Sequence, residues 1–350
     1  MTGTKPIIKY VPGAGKFKVN DVVYKIDLRD RAIFWAVNTW VKFCHPRRVI
    51  QFLRRTRKIP HPALPTTLAE KFLWRKLFDH NPLFTLVSDK LAAKEYAVSI
   101  CPHLKVPQTL WTGTNPADIS EKILSGSVMF KANHGSGWNI KIHNGIYDRK
   151  ELLRCGRRWM RSSHWRRHGE WGYNSVVPLL FVEQMVLNAG QPVDRIYKLY
   201  ISGGKLGYMW MNVMGPTASI WRLFDRDGNY CGSHDSTKRQ YIYSGDSSDE
   251  PLSRPENFRQ LVTTSLSLAG DFDSVRIDLY EADDEIWLSE FTIYTEGGFP
   301  SPFLDPVYDE ELFRNWDISR SWFMTHRQKG WREIYAQTLK HVLSNCAAQK

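Results

Sequence analysis

Two short constellations in this 350-residue chain carry residue types suited to phosphate chemistry. The first is Phe130-Lys131-Ala132-Asn133-His134-Gly135-Ser136-Gly137, with Val128 to Ala132 expected as a strand. It sets a lysine at the end of that strand, just before a small, flexible loop. Backbone N–H groups of such a loop close on phosphate oxygens, while the lysine adds a point charge. A Gly-Ser-Gly turn in a plain hairpin accounts for the same residues. The second lies far downstream. In Val275-Arg276-Ile277-Asp278-Leu279-Tyr280, strand alternation puts Arg276, Asp278 and Tyr280 on one face. A tight turn, Ala282-Asp283-Asp284-Glu285, leads to a second strand on which Glu290 and Thr292 share a face. Pairing the two strands brings Asp278 and Glu290 together. Two carboxylates with an arginine beside them suit Mg²⁺ and a transferring phosphoryl group. Alternation with solvated charges is the plainer alternative.

The remaining pattern says what positions these residues. Phe34, Val37, Trp40, Val41 and Cys44 recur at helical spacing, and residues 27–58 read as one helical stretch. Its second part mixes Arg47, Arg48, Arg54, Arg55, Arg57 and Lys58 with Val49, Ile50, Phe52 and Leu53. That mixture suits an interfacial helix on an anionic leaflet, or a solvated face packed on the main domain. Pro60, Pro62 and Pro65 mark a break. Residues 66–101 read as helical with a turn at Asn81-Pro82, and 104–112 as a strand. Helices follow at 116–124 and 148–166, with 138–143 as the second strand of a hairpin. Strands are expected at 179–186, 196–202, 205–211, 218–224, 275–281 and 285–292. Helices are expected at 255–269 and 329–346. Helices come first and strands later, so the class is α+β. Val11-Pro12-Gly13-Ala14-Gly15-Lys16 looks like a phosphate loop but lacks its full spacing.

Composition bounds the partners. The formal net charge is +12, which favours polyanions: nucleic acid, anionic lipid, nucleotides or acidic polysaccharide. There are 14 tryptophans, several beside arginines, a mixture suited to stacking on bases or sugars or to a membrane interface. The five cysteines, 44, 101, 155, 231 and 346, form no C-x-x-C pair, so neither a zinc site nor a disulfide framework is supported. No apolar run is long enough to span a bilayer, and no signal-peptide pattern is seen. The expectation is a cytoplasmic protein, with peripheral contact at the inner face of the membrane open through residues 27–58.

Taken in order along the chain, the motifs resemble the ATP-grasp superfamily, and more closely the TupA-like ATP-grasp family associated with bacterial surface-polysaccharide biosynthesis. The resemblance runs from about Leu68 to Trp316. It begins at Leu83-Phe84-Thr85-Leu86-Val87-Ser88-Asp89-Lys90 and continues through the Lys131 strand and its loop. Glu170-Trp171-Gly172-Tyr173, Phe181-Val182-Glu183-Gln184-Met185, and Asp194 with Tyr197-Lys198-Leu199-Tyr200 come next. The Arg276/Asp278 strand and Ser289-Glu290-Phe291-Thr292 complete it.

The resemblance implies an ATP-grasp fold, with ATP and Mg²⁺ held between two α+β subdomains. It divides the chain into a basic helical extension (1–65), a preceding part (66–125), a small subdomain (126–186), a large subdomain (187–325) and a carboxy-terminal helix (326–350). Lys90, or Lys94 a turn later, takes the place of the first phosphate lysine, and Lys131 that of the lysine on the α- and β-phosphates. Gly135, Ser136 and Gly137 become the loop over the phosphates. Glu183, Gln184 and Met185 become the linker whose backbone reads the adenine edge. Lys198 faces the nucleotide or the acceptor, and Arg276 stabilises the transition state. Asp278 and Glu290 become the magnesium ligands. Thr292 stands where many members have a ligating asparagine, and Ser289 where glycine is common. Gly297-Gly298 falls where a turn lies near the acceptor.

The reaction implied is a carboxylate–amine ligation through an acyl phosphate, joining an amine or amino acid to a uronic acid of an acidic glycan. A kinase acting on a sugar or alcohol would use the same nucleotide site. A non-catalytic nucleic-acid or membrane-binding module would use Arg154, Arg157, Arg158, Arg161, Arg166 and Arg167 with Trp159 and Trp165. His134 is a candidate base or an ordinary loop histidine. Asp271 and Asp273 are expected as solvated turn residues.

Overall fold

The computed structural model describes residues 16–19, 22–215, 219–235, 240–243, 254–299 and 306–347. Of the loop-like stretch 11–16, residues 11–15 lie outside them. Contacts divide the chain into two units. One is Met1–His80 with Gly298–Pro300 and Asp317–Lys350; the other is Asn81–Gly297 with Ser301–Trp316.

The first unit begins with an antiparallel hairpin of β1 (Lys16–Val19) and β2 (Val22–Lys25). Helices α1 (Leu28–Cys44), α2 (Pro46–Thr56) and α3 (Leu68–Leu77) follow. Asp27 caps α1, its carboxylate accepting the Asp30 N–H at 2.7 Å. The single helix expected over 27–58 is in fact two. Pro46 has no N–H, and its ring disfavours helical dihedrals at His45, which sits at φ −127 and ψ 46. The proline stretch is pinned by buried Glu70, whose carboxylate accepts the N–H groups of His61 and Thr66, each at 2.9 Å. The interior is aromatic. Trp74 Nε1 donates to Tyr335 Oη at 2.8 Å, and that hydroxyl donates to Ala63 O at 2.9 Å.

The second unit opens with α4 (Pro82–Ser88), α5 (Ala92–Ile100), β3 (Thr109–Gly113), α6 (Glu121–Leu124), β4 (Val128–Ala132) and β5 (Asn139–Ile142). Next come α7 (Arg149–Met160), α8 (His164–His168) and β6 (Leu180–Gln184). These build a four-stranded sheet of order β3-β6-β4-β5. Phe130, Leu152, Trp159 and Val182 pack its core, with Phe130 and Trp159 rings 5.3 Å apart. After a minimal hairpin, β7 (Leu187–Asn188) and β8 (Gln191–Pro192), the larger sheet is built. It comprises β9 (Arg195–Ser202), β10 (Lys205–Met214), β11 (Ser219–Asp225), β12 (Tyr230–Asp235), β13 (Gln240–Tyr243), β14 (Ser274–Ala282) and β15 (Glu285–Thr292). Its order is β13-β12-β11-β10-β9-β14-β15, antiparallel throughout. Helix α9 (Phe258–Leu268) precedes β14, and α10 (Pro306–Asn315) closes the unit. The chain ends in the first unit with α11 (Trp322–Thr325) and α12 (Trp331–Ala347).

The α+β class holds. Strands β12 and β13 and helix α10 extend beyond the expected elements. Helix 148–166 is interrupted between Met160 and His164. Trp159 is buried against Phe130, which removes it as an exposed stacking surface beside the basic residues of α7. Among the described residues, no helix is long and apolar enough to cross a membrane.

Candidate active site

A cleft of about 960 Å³, counting its open mouth, lies in the second unit. Lys90, Lys94, Lys131 and Lys141 line it against only two carboxylates, Glu183 and Glu290. Met129, Phe181, Met185, Val186 and Leu288 give it an apolar wall. Cations beside an apolar slot suit a ligand with a flat ring at one end and anionic oxygens at the other.

Strand pairing sets the lysines. Met129 lies opposite Glu183 in the β4–β6 ladder, and Lys131 lies two residues further along β4, on the same face. Lys131 Nζ makes an ion pair with Glu183 Oε1, and Lys94 Nζ sits 2.5 Å from Glu183 Oε2. Lys94 also donates to Pro107 O at 2.8 Å. Burial works against the Glu183 charge, but Lys131 and Lys94 outweigh it and hold the carboxyl below the usual glutamate range. Burial opposes the Lys131 ammonium too; Glu183, Tyr280 and Glu290 prevail and hold its pKa up. At Lys94 and Lys90 burial dominates and pushes the pKa down. One buried carboxylate thus serves two lysines, and Lys131 is the better balanced of them.

Lys90 governs the glycine loop. Its backbone N–H donates to Asn133 O at 3.3 Å, and its Nζ donates to Gly135 O at 2.6 Å. Trp138 folds back over Gly135 so closely that an added Cβ would stand 2.4 Å from the indole ring, so any larger residue there would have to push the indole away. Gly137 has φ +70, the left-handed region that glycine enters freely. Ser136 and Gly137 are exposed at the tip. Behind the loop, the Ser136 N–H points to His164 Nδ1 at 3.5 Å, and His164 Nε2 lies 3.1 Å from Glu170 Oε2. His134 is buried with Asn133 Oδ1 and Trp159 O each 3.1 Å from its ring nitrogens, so it is engaged as a structural residue of the loop.

The second constellation lies on adjoining strands. Asp278 stands opposite Glu290 on β15 and opposite Lys198 on β9, and Arg276 stands opposite Thr292 and Tyr200. A bulge falls between Asp278 and Leu279, leaving Ser289 as the extra residue of β15, and Ser289 and Glu290 both line the cleft. Arg276 grips fully buried Asp278 with two bonds, Nε to Oδ1 at 2.6 Å and a terminal nitrogen to Oδ2 at 2.8 Å. Lys198 Nζ reaches Oδ2 at 2.5 Å. The same terminal nitrogen of Arg276 lies 3.4 Å from Glu290 Oε1, which also accepts from Thr292 Oγ1 at 3.3 Å. Burial disfavours the Asp278 charge, but Arg276 and Lys198 more than compensate and keep its carboxyl low.

Of the residues singled out from sequence, Lys90, Lys94, Lys131, Glu183, Gln184, Met185 and Glu290 line the one cleft. Arg276, Asp278, Lys198 and Thr292 join through the β9–β14–β15 ladder. Gly135 joins through Lys90. In the Glu183–Met185 segment, the Gln184 and Met185 N–H groups donate to Gln108 O and Ser127 O, and Glu183 acts through its side chain. Asp273 is no solvated turn residue: it is buried and accepts Trp316 Nε1 at 2.6 Å. The pairing of His164 with Glu170 was not foreseen; Glu170 stood in a motif, but nothing local tied it to the histidine.

The donors present suit magnesium accompanied by phosphate. Magnesium takes one or two carboxylates and completes its shell with phosphate oxygens and water. Glu290 offers such a carboxylate to the cleft, with the Thr292 hydroxyl beside it; the expected second ligand, Asp278, is fully buried with both oxygens taken by Arg276 and Lys198. Among the described residues, no group of three or more His, Cys, Asp or Glu side chains could hold a metal alone.

No curated protein matches the chain. Among solved structures it is similar to the D-alanine–D-alanine ligase of Bacillus anthracis, with a TM-score of 0.38, 13% identity and coverage of 76% of this chain and 70% of that one. It is also similar to the D-alanine–D-alanine ligase of Helicobacter pylori, at 0.35, 14%, 66% and 61%. For the L-amino acid ligase of Bacillus licheniformis the same figures are 0.34, 12%, 59% and 40%. The model of the TupA-like ATPgrasp family matches residues 70–315. The chain therefore belongs to the TupA-like ATPgrasp family and is an ATP-grasp enzyme.

Proposed function

We propose that this enzyme is an ATP-dependent carboxylate–amine ligase that joins an amine or amino acid to a uronic acid of an acidic bacterial surface polysaccharide. The observation that carries the reading is the single cleft in which Lys90, Lys94 and Lys131 converge beside an apolar wall, with Glu290 and the Arg276–Asp278 pair adjoining. Family membership supplies the reaction class. The net charge of +12 supports an anionic acceptor.

The phosphates lie against Lys131 and Lys94 at one end of the cleft. Lys90 draws the glycine loop over them and excludes water from the reacting centre. The acceptor carboxylate oxygen attacks the γ-phosphorus and ADP leaves, giving an acyl phosphate. The amine nitrogen then attacks the carbonyl carbon, phosphate departs with the C–O bond pair, and the nitrogen loses a proton. Arg276, positioned by Asp278, neutralises negative charge on the transferred group. Bound magnesium would be held by Glu290 with the Thr292 hydroxyl beside it and would supply further neutralisation of the phosphate oxygens, while Asp278 acts from behind through its grip on Arg276.

The test is incubation with Mg-ATP, a panel of amino acids and a panel of uronic-acid sugars, followed by mass spectrometry. An amide product with ADP and free phosphate supports the ligase. A phosphoester product with ADP and no amide would make the enzyme a kinase.

A further inference from the structure

Helix α1 has two apolar faces. Phe34, Val37 and Val41 form the buried one, with Asp30 buried beside them. The opposite side presents Leu28, Ala32, Trp35, Ala36 and Phe43, and it is open: Leu28 is 82% exposed, Trp35 70% and Phe43 80%. Helix α2 repeats the arrangement, with Phe52 buried and Ile50 and Leu53 48% and 42% exposed. Large apolar side chains so fully exposed on neighbouring helices mark an interaction surface.

The charges around these side chains select the occupant. Helix α2 contains Arg47, Arg48, Arg54 and Arg55 and no acid, and Arg57 and Lys58 follow it. Arg29, Arg31 and Lys42 flank the open face of α1, while its Asp30 is buried. We propose that α1 and α2 form a docking surface for an anionic lipid bilayer, with Trp35, Phe43, Leu28, Ile50 and Leu53 entering the headgroup–acyl boundary and the arginines and lysines paired with lipid phosphates. Indole rings favour that boundary, and long basic side chains reach from it to the headgroups. A second copy of the chain would set α2 against another α2 and desolvate like charges. Nucleic acid would satisfy the bases but leave Leu28, Phe43, Ile50 and Leu53 without an apolar partner. This surface belongs to the first unit, and the inference does not depend on the nucleotide reading.

The test uses the full chain in co-sedimentation with vesicles of phosphatidylcholine alone and of phosphatidylcholine with phosphatidylglycerol. Binding should be at least about tenfold tighter to the anionic vesicles and should fall away at about 0.5 M salt. A double variant, Trp35→Ser with Phe43→Ser, should lose vesicle binding by about tenfold or more while melting at the parent temperature. If that variant does not fold, Arg47→Glu with Arg54→Glu replaces it, with the same loss expected. Four results would overturn the inference. They are no vesicle binding, equal binding to both compositions, a parent dimer that the apolar variant converts to a monomer without vesicle binding, and tighter binding to single-stranded RNA than to anionic vesicles.

Discussion

The Glu183 carboxylate is shared between two lysines: Oε2 lies 2.5 Å from Lys94 Nζ, and Oε1 is paired with Lys131 Nζ. The three groups come from β6, α5 and β4, so a helix and two strands are tied at the place where the phosphates are proposed to lie. A single negative charge against two positive ones leaves the cluster short of anionic oxygen, which the phosphates of the proposed nucleotide would supply.

Lys131→Met should therefore weaken ATP binding about ten- to hundredfold, the effect of losing a charge-assisted hydrogen bond of about 1.5–3 kcal/mol. Isothermal titration calorimetry measures it, with a thermal melt to show that the variant is folded. Unchanged affinity in a folded variant removes Lys131 from the phosphate site.

Lys90 links binding to protons. Its pKa is lowered, chiefly by burial. A phosphate beside it restores the charged form and raises the pKa again. At alkaline pH, below the ordinary lysine value of about 10.4, ATP binding should then take up protons. Calorimetry in two buffers of different ionisation enthalpy should show uptake that fades toward neutral pH, and a Lys90→Met variant should lose it. Proton release on binding in that range contradicts the assignment.

The two acids opposite one another on β14 and β15 should behave differently. Asp278 is fully buried and gripped by Arg276 and Lys198, so Asp278→Asn strands two cations and should cost about 3–5 kcal/mol of stability. The Glu290 side chain is 31% exposed, so Glu290→Gln should leave the melting temperature nearly unchanged and act on ATP turnover. Denaturant unfolding of both variants, beside their ADP release, separates the two roles. Equal stability losses would mean that Asp278 does not anchor the arginine.

Asp309 on α10 has its pKa raised to about 7 by burial and by the neighbouring charge of Glu296. A carboxyl raised in the folded state stabilises the fold while it is protonated. That contribution is complete below the unfolded value of about 3.9 and is lost as pH rises through about 7. Asp309→Asn should flatten the fall in stability between those values and melt higher than the parent at pH 8. A variant whose pH profile matches the parent's shows that Asp309 is not the titrating group.

Much of this site was legible because its parts are local in sequence. The strand, lysine and glycine loop from Phe130 to Gly137 form one continuous segment. Asp278 and Glu290 sit on a hairpin whose alternation and turn are plain, and the structure pairs them. What escaped was made by distant contacts. Glu183 read as part of a linker, because its ion pairs come from α5 and β4. Asp273 read as solvated, because Trp316, which holds it, is far along the chain. His164 gave no signal until the fold brought it to Ser136 and Glu170. The break at Pro46 was readable and was overridden by the apolar spacing on either side of it. Strands β12 and β13 are short, six and four residues, and Gly232 interrupts the pattern of the first.

The acyl phosphate is the central claim, and oxygen transfer tests it directly. Uronic-acid sugars carrying ¹⁸O in the carboxylate are incubated with the enzyme, Mg-ATP and amino acids, and the released phosphate is analysed by mass spectrometry. Attack of that carboxylate on the γ-phosphorus, followed by loss of phosphate to the amine, places one ¹⁸O atom in each phosphate formed, matched by one amide. Phosphate without label, or ADP accompanied by a phosphoester and no amide, contradicts the account.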